Sequence, residues 1–183
     1  MSSILVGRTR SRAQALQIIF QANVQEIDVY DLLDRADYVL EDGPLSPYAE
    51  TLSRGVARNR LSIDKLIGGL SENWGINRMP QVDKAIMSIA IYEMFCEPDV
   101  DISVSINEAV EISKVYGTED SPSFINGILG RVSRLMDEYP LCSLEELARI
   151  IQETPSDSSI NEQISEESVS QEQEESVQVT EQA

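Results

Sequence analysis

Residues 82–95, VDKAIMSIAIYEMF, and 97–135, EPDVDISVSINEAVEISKVYGTEDSPSFINGILGRVSRL, decide the fold. In the first part Val82, Ala85, Ile86, Ile89, Ala90 and Met94 recur at spacings of three and four, the apolar stripe of a packed helix. Pro80 stands just ahead, where a missing N–H costs least. A second helix is expected to open at Ser105-Ile-Asn-Glu108, the spacing of a capping box, with Ile106, Ala109, Val110 and Val115 inward and Gly117 as its stop. Ser121-Pro122 can start a third, whose stripe is Phe124, Ile125, Ile128, Val132, Leu135 and Met136. Connections this short make the three helices packed neighbours.

Working outward, Arg8, Arg10 and Arg12 enter a first helix with Ala15, Leu16, Ile18, Ile19, Phe20 and Ala22 among its apolar positions. Cations at a helix N-terminus oppose the macrodipole, so they either form a solvated helix start or await an anionic ligand. Residues 28–40 read as a second helix, broken by Gly43, Pro44 and Pro47. A long helical stretch is expected from about Tyr48 to Leu70, with Leu52, Val56, Leu61, Leu66 and Leu70 inward. Trp74, in the link that follows, reads as a core plug or a stacking platform. Ser143-Leu-Glu-Glu146 again fits a capping box, ahead of a short helix to about Gln152.

The 42% apolar content suffices for a core, but the net charge is −18. Residues 153–183 hold nine acidic residues and no Lys or Arg, whereas residues 1–12 hold three Arg and no acid. The overall field repels a polyanion, so nucleic-acid binding needs a local basic patch. There is no His, and the two cysteines, Cys96 and Cys142, stand alone, without the spacing of a zinc site. A chain without imidazole, phosphate loop or nucleophile elbow lacks the usual inventory of an enzyme. The apolar run near the N-terminus, Ile4-Leu5-Val6, is too short for a secretory signal. The expectation is a cytoplasmic chain, or a plastid one if a transit segment was removed, with no membrane association and no metal or cofactor.

VDKAIMSIAIYE, SINEAVEISKVYG and EDSPSFINGIL resemble, in that order, the signature segments of the NusB family of transcription antitermination factors. Trp74-Gly-Ile-Asn-Arg78 and the arginine-bearing first helix match the same family, so the resemblance runs from about Arg8 to Met136. It implies an all-α fold of about seven helices in two packed subdomains. It also implies RNA-binding residues: Arg8, Arg10 and Arg12 as phosphate contacts, Phe20 as an aromatic closing helix one, the pair Asp83 and Lys84, and Asp120 with Phe124. Phe124 also lies on an apolar stripe, and Asp120 is placed to cap a helix, so each has a structural alternative. The implied partners are single-stranded boxA-type RNA of ribosomal RNA transcripts, the small-subunit ribosomal protein NusE and the RNA polymerase elongation complex. A helical protein–protein adaptor that has lost RNA binding is the alternative.

Two segments are expected: residues 1–152 as the helical RNA-binding domain, and 153–183 as a disordered acidic tail of Ser, Gln and Glu. As a flexible coil, the segment from Pro155 to Ala183 spans on the order of 30 Å, enough to visit the N-terminal arginines. Truncation after Gln152 should therefore raise RNA affinity a few-fold at low salt and hardly at all at high salt, because exposed charges are screened. Equal affinities of full-length and truncated protein at low salt would end this idea of self-competition.

Overall fold

Local chemistry at the helix ends sets the architecture. In the computed structural model, residues 6–71 and 79–153 are described; the expectations for Trp74 and for the tail lie outside them. The described residues form eight α-helices and no strand: α1 Gly7–Gln25, α2 Val29–Arg35, α3 Pro47–Arg58, α4 Arg60–Leu70, α5 Gln81–Cys96, α6 Ile102–Tyr116, α7 Ser121–Glu138 and α8 Leu144–Glu153.

Helix α1 ends in a left-handed residue, Glu26 (φ 56°), and the Ile27 N–H reaches back to the Ala22 carbonyl at 3.1 Å. Helix α2 ends the same way at Ala36 (φ 51°), with the Asp37 N–H on the Leu32 carbonyl at 3.4 Å. This is the Schellman closure made without glycine. It stops α2 at Arg35, five residues before the expected end at Leu40. The expected long helix is likewise two. Asn59 leaves helical geometry at φ −100°, ψ 10°, and its side-chain amide donates to the Gly55 carbonyl at 2.8 Å. The break resets the phase, so Leu61 is 78% exposed and Ile63 takes the buried position.

Helix α5 is the hub, packed against α1, α3, α4, α6 and α7. Every residue from Ala85 to Ile91 is buried, so its apolar face is wider than a stripe. It packs against α3 at Gly55, where any Cβ would overlap the Tyr92 ring. The main core joins α1 and α3 to α8, and a small satellite core of Ile18, Ala22, Val29, Leu32 and Leu33 ties α2 to α1. Helices α1–α3 pack on one another and α4, α6 and α7 pack around α5, and both sets share the main core, where α1 and α3 meet α5.

One expected capping box forms and the other does not. Ser143 Oγ accepts from the Glu146 N–H at 3.3 Å, and the Glu146 carboxylate accepts from the Ser143 N–H at 2.8 Å. Ser105 sits inside α6 because that helix begins at Ile102 behind Asp101, and Glu108 is engaged elsewhere. Val115, expected inward on α6, is 59% exposed. None of the helices is long and apolar enough to cross a membrane, among the described residues.

Candidate nucleic-acid interface

The three N-terminal arginines have three different fates. Arg8 is exposed, and its guanidinium lies over the Tyr48 ring, 4.9 Å from the centroid. Arg10 is half-buried: its Nε is 3.0 Å from the Asp42 carboxylate and its Nη2 donates to the Asp42 carbonyl at 2.9 Å. Arg12 is buried, its Nε 2.9 Å from both oxygens of Glu93 and its Nη1 donating to Glu108 at 3.1 Å. The expectation that Arg12 contacts phosphate is corrected here. Carboxylates from α5 and α6 neutralise its guanidinium in the interior, where the side chain is only 4% exposed.

Glu93 is fully buried and also accepts from the Tyr48 hydroxyl at 2.6 Å. Burial and that hydrogen bond push the Tyr48 phenol well above its usual range. Glu108, Arg12, Glu93, Tyr48 and Arg8 therefore form one chain of contacts from α6 to the surface.

A row of side chains on α1 holds the α2–α3 loop beside these arginines. Gln14 donates to the carbonyls of Asp42 (2.8 Å) and Pro44 (2.9 Å) and accepts from the Ser46 N–H (3.0 Å). Gln17 accepts from the Glu41 N–H, and Gln21 exchanges two bonds with the backbone of Val39. The loop thereby satisfies backbone groups that a helix or sheet would otherwise pair. At its apex Gly43 adopts φ +61°, and a Cβ there would overlap the Arg10 guanidinium. Tyr116 of α6 joins this edge by donating to Glu41 at 2.8 Å; burial and that bond push its phenol up to about 12.

The remaining predicted residues fall in three places. Phe20 is 37% exposed on α1, about 18 Å along the helix from Arg8 by helical rise. Lys84 pairs with Asp64 of α4 at 2.9 Å and lines a pocket with Asn23 and Arg60. Asp83, Asp120 and Phe124 cluster where α5 and α7 begin. Asp83 is buried, one carboxylate oxygen lacks a partner, and Ser121 hydrogen-bonds the group. Burial raises the Asp83 carboxyl above the usual carboxylate range, with the Ser121 bond opposing. Protonation of Asp83 therefore favours the folded state, so its contribution to stability rises as pH falls through its folded-state value. Such a group is not a surface acceptor for RNA bases, and the expected direct role of Asp83 is corrected to that of a buried link between α5 and α7.

Asp120 is exposed and makes no side-chain cap bond, although it stands at the N-cap position of α7. Phe124 packs half-buried against the main core. Because the Asp120 carboxylate caps nothing, Asp120→Asn should leave thermal stability within about 0.5 kcal/mol. A larger shift in a thermal melt would give this side chain a structural role.

Sequence reasoning missed Tyr48, Glu93 and Glu108. The available signal was Glu93 itself, a carboxylate inside a mostly apolar helix, which needs a buried partner. Among the described residues no three Cys or carboxylate groups converge as a metal site.

The NusB family model matches residues 9–134. The chain belongs to the NusB family. Transcription antitermination protein NusB of Pelotomaculum thermopropionicum is 42% identical over 137 residues, covering 73% of this chain and 94% of that protein. Among solved structures, NusB of T. maritima is 35% identical with a TM-score of 0.61, covering 72% of this chain and 93% of that one. A NusB solved with NusE and double-stranded RNA has a TM-score of 0.57 at 17% identity, covering 69% and 96%. That last likeness concerns the fold alone. The NusB match begins at Thr9, one residue after Arg8, and ends within α7, so α8 lies beyond it.

Proposed function

We propose that this chain is an RNA-binding transcription antitermination factor. Together with the ribosomal protein NusE it binds boxA-type single-stranded RNA of ribosomal RNA transcripts and supports processive elongation by RNA polymerase. The observation that carries the reading is family membership across residues 9–134, in a chain that keeps an exposed arginine at the head of α1 despite a net charge of −18. Arg8 and Arg10 supply phosphate contacts, the sequence-independent part of affinity. Phe20 offers a ring to an unpaired base, and Asp120 an acceptor to exocyclic amines. Lys84 and Phe124 contribute less, one being paired with Asp64 and the other half-buried.

The mechanism is recognition and assembly, without bond-making chemistry, and its place is the cytoplasm. NusE supplies part of the RNA surface, which suits a protein whose own field is acidic.

Filter binding of a single-stranded ribosomal-leader RNA, with and without NusE, tests this. Retention that NusE strengthens is expected, and Asp120→Asn should weaken it a few-fold. No retention in either arm would leave the adaptor reading, in which the acidic surface recruits basic protein partners.

A further inference from the structure

We propose that Tyr48 is a positioning residue of the RNA surface: its ring holds the Arg8 guanidinium ready for a phosphate, and the buried carboxylate of Glu93 fixes that ring. The inference rests on the RNA-binding reading above. Arg8 is in the first turn of α1 and exposed, and a free arginine side chain there samples many rotamers. A guanidinium 4.9 Å from a ring centroid lies within cation–π range. Stacking of this kind restrains the side chain while leaving its charge whole and its N–H edge open to a bidentate anion.

The contrast with Arg10 sharpens the point. Asp42 already neutralises Arg10, through its carboxylate at 3.0 Å and its carbonyl at 2.9 Å, so a phosphate must displace a carboxylate there. The partner of Arg8 is a neutral ring. No carboxylate pairs with Arg8 among the described residues.

The ring is itself fixed from below. Tyr48 follows Pro47 at the start of α3, behind the Ser46 cap, and its hydroxyl donates to Glu93 at 2.6 Å. Glu93 cannot move, because it is fully buried and Arg12 grips both of its oxygens. Arg8 and Arg12, one turn apart on α1, thus meet the two ends of one network. The inner arginine sets the position of the ring that carries the outer one. Because the phenol stays protonated throughout the physiological range, the ring remains neutral and its face stays attractive to a cation.

A double-mutant cycle in the full-length chain tests the proposal. Arg8→Ala, Tyr48→Leu and the double variant are compared with Tyr48→Phe, by filter binding of a single-stranded ribosomal-leader RNA at low salt with NusE present. Tyr48→Leu should weaken binding roughly two- to fivefold, the range of an exposed cation–π contact. Tyr48→Phe keeps the ring but loses the Glu93 bond that fixes it, so it should fall between the parent and Tyr48→Leu. Arg8→Ala should lose less in the Tyr48→Leu background than in the parent, since one contact cannot be lost twice. A merely structural role for Tyr48 would leave the two effects multiplying. Multiplying effects or a Tyr48→Leu variant equal to the parent would overturn the proposal, and a Tyr48→Phe variant equal to the parent would overturn the part given to Glu93. If Tyr48→Leu does not fold, Tyr48→Met replaces it as a ringless side chain of similar reach. A parent chain that retains no RNA overturns the RNA reading and this inference together. A parent that binds while Tyr48→Leu binds equally overturns this inference alone.

Discussion

Arg12→Ala is expected to lower folding stability by about 3–5 kcal/mol, the range found when one partner of a buried ion pair is removed. Glu93 has no exposed surface, and its carboxylate depends on Arg12 and the Tyr48 hydroxyl. Without Arg12 its charge stays buried beside one phenol, and Glu108 loses its contact as well. Arg12→Lys should fall between parent and alanine, because one ammonium cannot present the same fork to Glu93 and Glu108. By contrast, the Arg10 pair with Asp42 is partly exposed, with Asp42 60% open, so Arg10→Ala should cost no more than about 1 kcal/mol. Urea titration reads all three as shifts of midpoint at constant slope. A loss below about 1 kcal/mol for Arg12→Ala would mean that Arg12 is solvated, and would return it to the phosphate-binding set.

The helical content and the packing of α5, α6 and α7 were legible because a 3.6-residue apolar period needs no partner to be seen. What escaped was decided by contacts distant in sequence. Ser105–Glu108 and Ser143–Glu146 carry the same spacing, yet the second alone is a capping box. At Ser105 the helix has already begun three residues earlier, and Arg12, 96 positions away in the chain, takes the Glu108 carboxylate. A local pattern predicts a cap only where no distant charge competes for it. The ends of α2 and α3 were hidden for a different reason. Ala36 in the left-handed region and Asn59 outside helical geometry carry no glycine or proline to announce them.

The candidate site shows the same division. The arginine cluster was visible, but Arg8, Arg10 and Arg12 look alike in sequence and differ in what covers them. Among the described residues, Arg12 is reached by α5 and α6, Arg10 by the α2–α3 loop, and Arg8 by the Tyr48 ring. Asp83 and Asp120 divide likewise. The family motif marks both, but the packing of α7 on α5 buries one and leaves the other in solvent.

That division sets the expected salt dependence of RNA binding. Three phosphate contacts to a single strand would give a slope of about −2.1 in log affinity against log salt, or about an eighteenfold loss from about 50 to 200 mM. With Arg12 enclosed, Arg8 and Arg10 remain, so the slope should be no steeper than about −1.4 and the loss no more than about sevenfold over the same range. Arg10 meets a phosphate only by releasing Asp42, and that exchange of one anion for another is less sensitive to salt than a new contact. The slope of the Arg10→Ala variant should therefore change less than that of Arg8→Ala. The variant lacking both arginines should bind RNA with almost no salt dependence from this end of the molecule, while its urea midpoint stays close to that of the parent. Filter binding across a salt series measures these slopes directly. An unchanged slope in the double variant would remove the head of α1 from the RNA surface. A slope near −2.1 in the parent would instead require a third cation; Lys84, paired to Asp64 but not enclosed, is the next to replace.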